Sequence, residues 1–137
     1  MLRPVICLLV CAWPVWTSAA PPTISDLPVR GLQVGGTTRL VLRGSNLLPA
    51  ARVVAGVPIA KQAVVGKPTA TAVTLDVTLA DDVQPGVYHL RAVNTRGVSA
   101  PRIVTVDRLP QTAFVESAQL DALPVALHGR LVGSQVA

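Results

Sequence analysis

Two histidines, His89 and His128, an acidic pair, Asp81-Asp82, and two cysteines, Cys7 and Cys11, are the side chains in this 137-residue chain best suited to catalysis or metal binding. Hydrolysis needs a nucleophile, a base and an orienting group brought together. His89 sits at an outward position of a strand-like run and His128 in the C-terminal segment, and neither has a local companion that suggests a triad. No catalytic residue is therefore assigned. Calcium takes about six to eight oxygens, and no further carboxylates cluster near Asp81-Asp82, so a solvated turn is expected there. Zinc asks for more than two isolated histidines. Gly31, Gly35 and Gly36 lack the spacing and the lysine of a phosphate loop. The sequence thus assigns no metal-binding residue, no cofactor-binding residue and no cofactor.

Both cysteines fall in an opening segment with the layout of a secretory signal peptide. Met1-Leu2-Arg3 supplies a positive start, Val5 to Val15 is apolar, and Thr17-Ser18-Ala19-Ala20 gives small residues for cleavage, expected after Ala19. The apolar run is shorter than the roughly 20 residues of a spanning helix, so no membrane span is expected in the mature chain. Lipidation at Cys11 is the second choice, because Val10 is bulkier than the small residue such processing wants. A chain cut after Ala19 keeps no cysteine, which excludes a disulfide and leaves the fold to its apolar core. The expected destination is secreted, periplasmic or cell-surface.

Losing Arg3 lowers the net charge from +5 to +4, and the remaining basic residues are dispersed from Arg30 to Arg130. Only Tyr88 and Phe114 remain as aromatic residues. Single-stranded nucleic acid usually needs several stacking rings beside a basic track, so no nucleic-acid partner is expected. The same scarcity of rings disfavours a carbohydrate-binding sandwich.

The elements that would position these side chains read as strands. Val73-Thr74-Leu75-Asp76-Val77-Thr78-Leu79 alternates cleanly, with β-branched residues prominent, which favours a half-buried strand over a helix. After a polar corner at Asp81 to Gly86, Val87 to Val93 predicts a second strand with Tyr88, Leu90 and Ala92 inward and His89, Arg91 and Val93 outward. A tyrosine just past such a corner packs inward and returns its hydroxyl to the preceding loop's backbone. Asn94 to Gly97 predicts a turn. Further strands are expected at Thr23 to Leu27, Thr37 to Gly44, Arg52 to Ala55, Gln62 to Val65 and Ile103 to Val106, with Val29 to Gly36 as a glycine-rich loop. Seven short strands and no helical periodicity predict an all-β, Ig-like antiparallel β-sandwich over residues 20–107, after a leader at 1–19.

Residues 108–137 break the pattern. Thr112 to Leu123 is polar and irregular, and Pro124 to Leu131 predicts one more strand with nothing after it to pair with. A lone strand is no domain. The segment is expected to be a linker and an incomplete stub, either folded back on the sandwich or cut short.

Thr23-Ile24-Ser25-Asp26-Leu27-Pro28, Gly31, Gly36-Thr37-Thr38 with Leu40, Leu42, Gly44 and Asn46-Leu47 resemble the opening of IPT/TIG domains, the Ig-like fold of plexins and certain transcription factors. Pro85-Gly86-Val87-Tyr88-His89-Leu90, Val93-Asn94 and Gly97-Val98-Ser99 resemble its end, so the likeness covers about residues 21–107. Leu109-Pro110, Val115-Glu116 and Leu123 to Leu131 resemble the start of the bacterial pre-peptidase C-terminal type of β-domain. Here Glu116-Ser117-Ala118-Gln119 replaces that family's acidic opening, and its aspartate-rich strand is absent. The resemblance implies an exported, non-catalytic spacer, adhesion or protein-interaction module at a bacterial cell surface, its partner an unidentified protein or cell-surface component. The alternative is the N-terminal fragment of a larger secreted hydrolase of peptidase type whose catalytic domain lies elsewhere.

Overall fold

A computed structural model describes residues 20–49, 51–115 and 123–129. The expected leader with Cys7 and Cys11, the Glu116 to Gln119 run and Arg130-Leu131 lie outside the described residues. The described chain is all-β, two sheets stacked over an aliphatic core.

The alternating runs set the first sheet. β3 (Thr37–Ser45) and β6 (Ala72–Leu79) pair antiparallel, placing Leu40 against Leu75, Leu42 against Val73 and Thr38 against Val77 on the buried face. A one-residue slip of either strand would turn its three to solvent, so burial fixes the register. β1 (Thr23–Asp26) flanks β3 and β5 (Ile59–Val65) flanks β6, giving the order β1-β3-β6-β5. At the β1–β3 contact, a Cβ on Gly44 would strike the carbonyl oxygen of Thr23. Only glycine lets the two backbones approach so closely.

In the second sheet, β7 (Gly86–Asn94) lies between β4 (Arg52–Ala55) and β9 (Arg102–Asp107), with β8 (Gly97–Val98) returning beside it. Leu90, Ala92, Val53, Val104 and Val106 point inward and are essentially inaccessible. The turn from β7 to β8 is held by Asn94, whose Oδ1 accepts from Arg96 N at 2.9 Å while its Nδ2 donates to Asn46 O at 2.8 Å.

The seven expected strands are all present, and within the sandwich two short ones, β2 and β8, join them. One corrects the expected loop at Val29 to Gly36, because Gly31–Gln33 forms β2, parallel to β9. Pro28 explains how: it has no N–H to continue the β1 ladder, so the chain leaves the first sheet and joins the second. Leu27 and Val29 are buried at the crossing, and Leu32 is fully buried beyond it. Apart from β2–β9, the sandwich pairings are antiparallel.

The tail supplies the second correction. Ala126–His128 forms β11, within the strand expected at Pro124 to Leu131, and it pairs in parallel with an earlier strand, β10 (Gln111–Ala113), which runs into the stretch expected to be irregular. Phe114 N donates to His128 O and Ala126 N to Pro110 O, closing the ladder at both ends. This two-stranded unit folds back over β2.

Candidate functional site

Tyr88 leaves the polar corner half-buried, and its hydroxyl donates to Gln84 O at 2.9 Å. The ring lies between two glycines. A Cβ on Gly86 would come within 3.3 Å of Cε2, and one on Gly56 within 3.4 Å of Cδ1. The residue therefore has the corner role its position predicts, tying β7 to its preceding loop and resting against the end of β4. Asp81 and Asp82 are exposed, and Asp81 lies beside Gly35, whose φ of 64° suits a glycine turn. Among the described residues, no group of three or more His, Cys, Asp or Glu side chains could hold a metal ion.

His89 is exposed on the outer face of the second sheet, directly across from Ile103. Alternation carries its neighbours Val87 and Arg91 to the same face, and β4 adds Arg52 and Val54. Val54, Val87 and Ile103 are 50%, 69% and 62% exposed. Arg91 Nη1 donates to Ser99 O at 3.2 Å. The face is largely apolar and cationic, with Thr105, the partner of Val87, diagonal to His89.

His128 sits in a different setting, half-buried where β11 crosses β2. Its Nε2 lies 2.5 Å from Gln111 Oε1, an acceptor, so this ring nitrogen carries the proton. Gln111 Nε2 donates in turn to Asp107 Oδ1 at 2.7 Å and Leu109 O at 2.6 Å. Beneath them is Gly31, where a Cβ would collide with the Gln111 side chain and approach His128 Nε2 to 2.6 Å. Burial pushes the imidazole pKa below its ordinary value; Asp107 pulls it back and Arg30 lowers it further. The relay His128–Gln111–Asp107 thus clasps the tail to the sandwich.

Beside the clasp, Asp26, Arg30, Arg43, Phe114 and His128 line a cleft of about 600 Å³. Asp26 and Arg43 approach within 3.9 Å across it. Among the described residues that line the cleft there is no serine, threonine or cysteine beside His128. The two histidines remain on separate surfaces. Neither Gln111 nor Asp107 stands out in the sequence as a functional residue; the only signal was the glycine at position 31, whose missing side chain makes room for the clasp.

Among the described residues no helix is long and apolar enough to cross a membrane. The fold and these surfaces define an all-β sandwich with a clasped C-terminal tail. The chain matches no protein-family model and no curated protein.

Proposed function

We propose that the chain is an exported, non-catalytic Ig-like module that spaces, adheres to or docks another protein at the cell surface. The observation that carries this reading is the outer face of the second sheet. It exposes Val54, Val87 and Ile103 together, with Arg52 and Arg91 alongside. Val87 and Ile103 are diagonal neighbours, and Val54 lies beyond His89 and Arg91 on the other side of β7; exposed aliphatic groups gathered on one face commonly mark an interaction surface, and arginine is enriched in protein interfaces. The resemblance of residues 21–107 to IPT/TIG domains supports the module, and the layout of residues 1–19 supports export. Fold alone does not fix function, so the weight rests on that face and on the placing of His89 and His128 on separate surfaces.

Two measurements test the reading. N-terminal sequencing of protein recovered outside the cytoplasm is expected to start at Ala20. Purified chain is expected to leave peptide and sugar substrates unchanged; turnover abolished by His89→Ala or His128→Ala would overturn the non-catalytic assignment.

A further inference from the structure

In the sandwich, the ends of the two strand orders are β1 and β5 in the first sheet and β2 and β4 in the second. An edge strand presents unpaired backbone N–H and C=O groups to any strand that reaches it. Three of these edges are occupied by the chain itself. The Gln62 amide spans β4 at Val53, accepting from its N–H at 3.0 Å and donating to its carbonyl at 3.1 Å. The Arg102 guanidinium donates to the carbonyl of Ile24 on β1 through Nε at 2.9 Å and reaches Ser25 O at 3.4 Å. β2 is only three residues long and is overlain at Gly31 by Gln111 and His128. β5 is the longest edge strand, seven residues against four in β1 and β4. Among the described residues no side chain hydrogen-bonds to its backbone.

The ladder parity says which β5 groups are open. Gly44 N donates to Thr71 O at 2.9 Å. Bonded pairs alternate along an antiparallel ladder, so Leu42–Val73, Leu40–Leu75 and Thr38–Val77 are the bonded pairs of β3–β6. Thr74, Asp76 and Thr78 then turn their backbone groups toward β5, where they meet Val65, Ala63 and Lys61. The N–H and C=O groups of Gln62 and Val64 are left pointing away from β6.

We infer that β5 pairs antiparallel with β5 of a second copy of this chain, about a two-fold axis at Ala63. Identical antiparallel strands make a self-complementary contact that closes at two copies. In this register Gln62 of each copy faces Val64 of the other, and the four backbone groups on each side are satisfied by four hydrogen bonds. Ala63 meets its own copy at a non-bonded position, where opposing side chains come closest, and a methyl group fits there. Lys61 stands opposite Val65 rather than another cation. Shifting the axis to Val64 would set Lys61 against Lys67, and shifting it to Gln62 would place the two Lys61 side chains on a diagonal, both unfavourable for like charges. The first sheet would continue as β1-β3-β6-β5 across the axis into its symmetry mate. The pairing stands independently of the function proposed above.

Sedimentation equilibrium of the full chain tests it. A seven-residue strand contact falls below the ~1,200 Å² of standard interfaces, so the mass is expected to climb from monomer toward dimer between ~10 µM and ~1 mM. Val64→Pro removes an edge N–H without touching the β6 ladder, and Ala63→Lys puts two ammonium groups at the axis. Each is expected to weaken association by about tenfold or more, with the far-UV circular dichroism retained. Should Val64→Pro unfold the strand, Ala63→Lys alone decides. A wild-type chain that stays monomeric across the range overturns the inference, and so does a dimer that Ala63→Lys leaves intact. A dimer abolished instead by Ile103→Asp also overturns it, by moving the contact to the second sheet's outer face.

Discussion

The two sheets have matching insides and contrasting outsides. Inside, both present alternate aliphatic side chains that are almost wholly buried. Outside, the first sheet pairs its polar groups across strands: Arg39 holds Asp76 through two hydrogen bonds of 2.8 and 3.0 Å, and the Thr37 and Thr78 hydroxyls meet at 2.7 Å. The second sheet exposes Val54, Val87 and Ile103, and its β2 end is covered by the tail rather than by water. Stability alone asks nothing of an outer face beyond solubility. The difference is why the proposed interaction is assigned to the second sheet's face and the inferred pairing to the first sheet's edge.

The strongest test of the matching insides is a pair of core truncations. Leu75→Ala in the first sheet and Leu90→Ala in the second each remove a buried side chain from the shared core. Each is expected to lower unfolding stability by about 2–5 kcal/mol, the range for cavities of this kind, read by denaturant unfolding. A large loss in one sheet with little in the other would break the symmetry.

Smaller effects probe where the sheets differ. Tyr88→Phe deletes the hydroxyl that satisfies Gln84 O, and a loss of about 1 kcal/mol is expected. A melting curve superimposable on wild type would count against the corner as a clamp. On the outer face, Ile103→Asp is expected to change stability by less than about 0.5 kcal/mol, as exposed substitutions do, while shortening retention on a hydrophobic-interaction column. The matching change on the first sheet, Val41→Asp, serves as the reference; equal shifts in retention would erase the contrast between the faces.

What the sequence made legible follows the reach of each interaction. β3 and β6 could be placed because alternation is a local pattern that burial then fixes. Tyr88 could be placed because its acceptor lies four residues back, within the same corner. β2 escaped because its three residues have no period to read, and its hydrogen-bonding partner, β9, comes about seventy residues later. The tail escaped for the same reason: Gln111 looks like a linker residue until β11 is laid beside it and β2 beneath it. The outward place of His89 followed from alternation, whereas the setting of His128 depended on Gln111, Asp107 and Gly31, which only the fold gathers.

The clasp offers the finest test, because it loads one end of the second sheet with an imidazole, whereas the strands of the first sheet carry no histidine. Burial lowers the pKa of His128 below its ordinary 6.5 while the tail is docked. Released, the imidazole returns to that ordinary value. The released tail thus binds a proton more readily than the docked one, so the clasp has its full strength above pH 6.5 and weakens as pH falls through 6.5 toward the docked value. Burial carries the shift, since the attraction of Asp107 for the protonated ring outweighs the repulsion of Arg30. Amide hydrogen exchange is expected to speed up at Gln111–Ala113 and Ala126–His128 across this window, beyond the ordinary pH dependence of exchange, while β6 and β7 stay protected. His128→Asn should abolish the extra pH dependence, and Gly31→Ala should open the same amides at every pH by displacing Gln111. Tail amides that respond to Gly31→Ala but not to pH would keep the docking and remove the histidine from it.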